Sequence, residues 1–167
     1  MSETAPLDIL KSAILLERRG RAYYENAAEA SKDPSVAAFF KMMAEEEVQH
    51  ISILAEQYKR YRSENRFEPV TPQTPSPVDV AESVLSAIAA SRISAADFES
   101  AAVSAAMALE ERAIRLYADR AKVAADPDEK ALYGWLAAWE SEHLAMLSRI
   151  DRALTETIWN DNQFWPF

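Results

Sequence analysis

The chain has 167 residues, no cysteine, two histidines and a formal net charge of −9. Without cysteine there is no disulfide framework, thiolate metal site or cysteine nucleophile, so any bound metal must take oxygen and nitrogen donors. The acidic balance argues against a nucleic-acid surface and suits attraction of cations, and only 2 glycines among abundant alanine, leucine, glutamate and arginine predict an all-α chain.

The opening Met-Ser-Glu-Thr-Ala-Pro has no basic stretch leading into an apolar one, and no run approaches 18 uninterrupted apolar residues. The expectation is a cytoplasmic protein with no membrane segment. Pro6 suits a first helical turn, and an amphipathic pattern runs from Leu7 to about Ser31. Asp33-Pro34 reads as an N-cap followed by proline at the first helical position, opening a second helix from Ser35 to about Arg62. The two should form an antiparallel hairpin over residues 7–62. A stretch at 66–78 carries four of the eight prolines and cannot be helical. A short helix follows from Asp79 to Ala90, and Ser94 with Asp97 resembles a capping box opening the next long helix, 95–124. Asp126-Pro127 repeats the cap signal and starts a last helix to about Thr157, so the second hairpin spans 95–157. Helices of about 25 residues are about 37 Å long. The 63–94 crossover can traverse that length, which lets the second and third long helices run parallel. The bundle is placed at 1–157 as one domain, followed by an aromatic tail at 158–167.

A shift of 93 residues superimposes the two hairpins without a gap. It carries Glu17 to Glu110, Tyr24 to Tyr117, Asp33-Pro34 to Asp126-Pro127, Glu47 to Glu140 and His50 to His143. Spacings of three and four define one stripe on each long helix. The stripes are Leu10, Ala13, Glu17, Gly20, Tyr24 and Ala27; Val36, Phe40, Met43, Glu47, His50, Leu54 and Tyr61; Val103, Ala106, Glu110, Ala113 and Tyr117; and Tyr133, Leu136, Glu140, His143, Leu147, Ile150 and Leu154. Every apolar seam thus carries a glutamate near its middle, and two carry a histidine one turn on. Both histidines of the chain sit in Glu-x-x-His motifs, and each motif glutamate lies 30 residues after another seam glutamate. Four buried carboxylates are prohibitive unless neutralised. Two divalent cations balance Glu17, Glu47, Glu110 and Glu140, and His50 and His143 supply one nitrogen to each ion. These six are the expected metal ligands.

Glu45, Glu46, Glu111 and Glu142 are read as solvated neighbours. Tyr24 and Tyr117, two turns after Glu17 and Glu110, are placed to hydrogen-bond a ligating carboxylate or to pack in the core. Trp135 and Trp139 read as packing or interface aromatics rather than redox relays. The tail from Trp159 to Phe167 is expected to pack on the bundle or a second subunit, or else to dock a partner.

Glu17 with Tyr24, Glu-Val-Gln-His at 47–50, Glu110 with Tyr117, and Glu-Ser-Glu-His at 140–143 resemble the rubrerythrin-type branch of the ferritin-like superfamily, from about Leu7 to Leu154. The resemblance implies a ferritin-like four-helix bundle of two antiparallel hairpins joined by a Pro-rich crossover with a short helix. It implies two iron ions bridged by Glu47 and Glu140, with Glu17 and His50 completing one and Glu110 and His143 the other. It further implies oxidation of Fe(II) by hydrogen peroxide or dioxygen. Manganese suits the same donors. Rubrerythrins carry a cysteine-ligated rubredoxin domain, so this cysteine-free chain is expected to use an external electron donor. Ala113 stands where they carry an additional glutamate, which brings the six-ligand set closer to bacterioferritin-like ferroxidase centres. The alternative is a non-catalytic metal-binding or iron-handling module acting with a partner. A homodimer or higher homo-oligomer is expected in either case.

Overall fold

The computed structural model describes residues 6–71, 79–90 and 98–160. Within them lie five helices and no strand: α1 Pro6–Ala30, α2 Pro34–Glu64, α3 Asp79–Ala89, α4 Phe98–Val123 and α5 Pro127–Asn160. The helix boundaries follow the sequence signals closely. Asp33 accepts a hydrogen bond from the Ser35 backbone N–H at 2.8 Å, and its equivalent Asp126 accepts from Asp128 and Glu129 at 2.8 and 3.2 Å. A side-chain acceptor at the N-cap satisfies amides that have no partner inside the helix. Helix α2 ends on Asn65, whose φ of 53° and ψ of 36° place it in the left-handed region, and its N–H closes the last turn onto Tyr61 O. Helix α5 continues past the expected end near Thr157 to Asn160. The Ser94–Asp97 capping box, the expected first turn at 95–97 and the tail from residue 161 lie outside the described residues.

Helices α1 and α2 pack along one another, as do α4 and α5, while α1 meets α4 and α3 lies against both α2 and α5. One apolar cluster joins Tyr24 and Ala27 of α1 to Val36, Phe39, Phe40 and Met43 of α2, Val103 and Ala106 of α4, Leu147 and Ile150 of α5, and Val84 and Ile88 of α3. A second joins Leu10 and Ala13 to Leu54, Tyr117, Leu132, Tyr133 and Leu136. The C-terminal part of α2 and that of α4 therefore lie at the same end, so these helices run parallel, as the expected 63–94 crossover allows. Its start is pinned by a reciprocal pair, Gln57 Nε2 to Glu68 O at 2.9 Å and Glu68 N–H to Gln57 Oε1 at 3.0 Å, with Phe67 buried against Tyr61.

Between the two apolar clusters lies a polar layer of Glu17, Glu47, His50, Glu110, Glu140 and His143, none more than 3% exposed. Burying one leucine stabilises by about 1.5–3 kcal/mol, whereas burying one ionised group costs several kcal/mol. Packing alone gives no reason to keep six such groups in the middle of a bundle.

Candidate metal centre

Each long helix presents its middle turns to the layer. Glu17 comes from α1, Glu47 and His50 from α2, Glu110 from α4, and Glu140 and His143 from α5. The three-residue spacing in α2 and α5 puts each histidine on the face of its glutamate, one turn along. His50 Nδ1 lies 2.9 Å from Glu140 Oε1, 3.4 Å from Glu17 Oε2 and 3.7 Å from Glu47 Oε2. Across the pseudo-twofold axis, His143 Nδ1 lies 3.0 Å from Glu140 Oε2 and 3.6 Å from Glu110 Oε1. Two donor groups result, Glu17–Glu47–His50–Glu140 and Glu47–Glu110–Glu140–His143, each offering one atom per residue within 4.8 Å of the others. Metal bonds of about 2 Å from oxygen and nitrogen span such a set. Glu47 and Glu140 belong to both groups.

The electrostatics match a site built for cations. Burial raises Glu17 above its usual range, and the Glu140 charge adds to the shift. Glu47 is pushed well up by burial and by Glu17, and Glu110 is pushed up to about 8 by burial and by Glu140. Burial also acts to raise Glu140, but His50 and His143 outweigh it and hold that carboxyl below its usual range. For both histidines burial acts downward, and the surrounding carboxylates outweigh it and raise them well above 6.5. Glu47 Oε2, Glu140 Oε1 and His50 Nδ1 and Nε2 are buried without a well-aligned hydrogen bond inside the protein. Oxygen and imidazole donors left without such partners and converging on shared points fit two divalent cations.

Tyr24 and Tyr117 reach the layer, though by a different route from the one their spacing suggests. The Tyr24 hydroxyl donates to Glu110 Oε1 and the Tyr117 hydroxyl to Glu17 Oε1, so each phenol serves the carboxylate of the other hairpin. Glu45, Glu111 and Glu142 are exposed, as expected. Glu46 is a correction: it is 1% exposed and its Oε2 lies 2.5 Å from His143 Nε2. Trp139 is buried and packs in the core, the first of the two roles expected for it, and it donates its indole N–H to Glu46 Oε2 at 2.7 Å. The signal for both was a second stripe, Phe39, Met43, Glu46, His50 and Gln57, whose 93-residue image is Leu132, Leu136, Trp139, His143 and Ile150. Trp135 is half-buried, edge-on to Trp139 at 5.3 Å.

A cavity of about 10 Å³ reaches the carboxylates between α1 and α4, lined by Leu16, Gly20, Leu109 and Ala113 beside Glu17, Tyr24, Glu47 and Glu110. That is room for about one water-sized molecule. Gly20 and Ala113 are equivalent positions in the repeat, and a Cβ at Gly20 would stand 3.4 Å from Glu47 Oε1.

Among the described residues no helix is long and apolar enough to cross a membrane. Compared with known families, residues 8–151 match the family model described as Rubrerythrin. No curated protein and no solved structure matches the chain significantly.

Proposed function

The chain belongs to the rubrerythrin family, and from that premise we propose that its buried layer holds two iron ions and oxidises Fe(II) with hydrogen peroxide or dioxygen. The observation that carries this reading is the pair of four-residue donor groups sharing Glu47 and Glu140. Glu47 and Glu140, common to both groups, would serve both ions, Glu17 and His50 would complete the set for one, and Glu110 and His143 for the other. When bound, the iron pair supplies the electrons for reducing the oxidant.

The chain's own residues bind, orient and exclude. Four carboxylates balance two divalent cations, while Tyr24 and Tyr117 hold Glu110 and Glu17 in place by hydrogen bonds. Apolar clusters on both sides of the layer keep bulk water away, and the small cavity at Gly20 and Ala113 has no room for an organic substrate. None of these 167 residues is a cysteine that could build a rubredoxin site, so the electrons that return the centre to the ferrous state are proposed to come from a donor outside them.

Ala113, buried at the position of the additional rubrerythrin glutamate, favours ferroxidase-type chemistry over peroxidase turnover. The same feature supports a second reading, in which the layer holds metal without turning over. Two equivalents of Fe(II) per chain, added to metal-free protein under air or with peroxide, separate the two. Growth of ferric absorption faster than in buffer is the expected result. Tight binding of two metals with no acceleration selects the second reading.

A further inference from the structure

Residues 46 and 139 are equivalent under the 93-residue shift, each directly before a Glu-x-x-His motif, yet one is glutamate and the other tryptophan. They meet in the core. Trp139 Nε1 donates to Glu46 Oε2 at 2.7 Å, and the same oxygen lies 2.5 Å from His143 Nε2, with Trp139 Nε1 and His143 Nε2 3.1 Å apart. Two N–H groups thus converge on one carboxylate oxygen. On the other side of the pseudo-twofold axis His50 Nε2 has no hydrogen-bond partner, and Trp139 and Trp135 stand edge-on to its ring at 5.1 and 6.0 Å. At the Nε2 edge, one histidine ring meets a carboxylate and the other meets aromatic rings.

Glu46 sits at the far nitrogen of the His143 ring, whereas Nδ1 faces Glu110 and Glu140. It is therefore placed to act through the histidine and not as a ligand. Accepting from Nε2–H fixes the tautomer that turns the Nδ1 lone pair toward the cluster and makes that nitrogen a stronger donor. Loss of such a partner typically weakens metal binding by about 10–100-fold. Glu46 also adds a fifth carboxylate to the four that balance two divalent cations, and it adds it on the His143 side alone.

We infer that Glu46 is a positioning residue that makes the two metal positions inequivalent. The Glu47–Glu110–Glu140–His143 position takes the first cation and holds it about 10–100-fold more tightly than the Glu17–Glu47–His50–Glu140 position takes the second. The inference rests on the dinuclear reading proposed above.

The test is an anaerobic calorimetric titration of the metal-free full chain with Mn(II), paired with electron paramagnetic resonance at one equivalent. The wild type should bind in two resolved steps, and half-loaded protein should give the spectrum of isolated Mn(II). In Glu46→Gln the first step should weaken at least tenfold and merge with the second, while the metal-free protein loses melting temperature because His143 loses a buried charged partner. Trp139→Phe, which keeps the Glu46–His143 bond, should retain two steps. Two equal steps in the wild type, a spin-coupled pair at half-loading, or separated steps that survive Glu46→Gln would each overturn the inference while leaving the dinuclear centre standing. Failure to bind any Mn(II) would overturn both. Even if Glu46→Gln does not fold, two equal steps or a spin-coupled pair at half-loading in the wild type overturns the inference.

Discussion

Tyr24 and Tyr117 give their hydroxyl protons to the seam glutamates of the opposite hairpin, Glu110 and Glu17, so the two halves of the repeat are tied across the α1–α4 contact by the proposed ligands themselves. A phenylalanine in either place keeps the ring packing and removes only the donor. Tyr24→Phe is expected to weaken binding at the Glu110 position by about tenfold or more, and Tyr117→Phe to do the same at the Glu17 position. A competition titration against a metal-binding dye measures this, and unchanged affinity would reduce both tyrosines to core packing. Gly20 raises a separate question at this scale, because glycine inside a helix costs about 1 kcal/mol relative to alanine. The added Cβ would meet Glu47 Oε1 at 3.4 Å, an ordinary contact. Gly20→Ala should therefore stabilise the metal-free protein by up to about 1 kcal/mol in urea denaturation, whereas Gly20→Leu should displace the Glu47 carboxylate and depress metal binding.

At the scale of the helix, the repeated Asp-Pro start makes a matched pair of predictions. Asp33 and Asp126 each accept backbone N–H bonds at the first turn of α2 and α5. Alanine at either should cost about 1 kcal/mol of stability, read as a shift in the urea midpoint at constant m-value. Losses of the same order are expected, since both caps accept first-turn N–H bonds. These starts were legible in the sequence because proline and its preceding cap act locally. The α1 stripe was legible too: its six buried residues, Leu10 to Ala27, are the six that the spacing predicts. Helix α2 was read too narrowly. Phe39, Ala44, Glu46 and Gln57 are buried as well, because α2 is covered on a second side by α3, by α5 and by the returning strand of chain at Phe67 and Glu68. A stripe defined by one partner does not reveal a second. The cross-hairpin tyrosine bonds were hidden for the same reason, since spacing along one helix says nothing about which neighbouring helix a long side chain reaches.

For the whole molecule the polar layer sets the pH dependence of stability. In the metal-free protein Glu110 is pushed up to about 8 from an ordinary 4.5, and Glu17 and Glu47 are raised by burial in the same direction. Between about 4.5 and about 8 the folded chain then holds more protons than the unfolded one, so its stability is greatest at the acid end of that window and falls as pH rises through it. The raised histidines act with the same sign above 6.5. Glu140, held below its usual range, acts oppositely, but its contribution is lost only as pH falls below about 4.5. Cations reverse the slope. They must displace the protons that these carboxyls and imidazoles carry, so their affinity climbs with pH over the same window. A cation at a hundred times its Kd adds about 2.7 kcal/mol to the folded state. Chelator-treated protein is expected to lose melting temperature from pH 5 to pH 8, while protein in excess Mn(II) gains it, so that the two curves diverge toward high pH. Parallel curves would mean that the metal does not compete with these protons, and the buried glutamates and histidines would then not be where it binds.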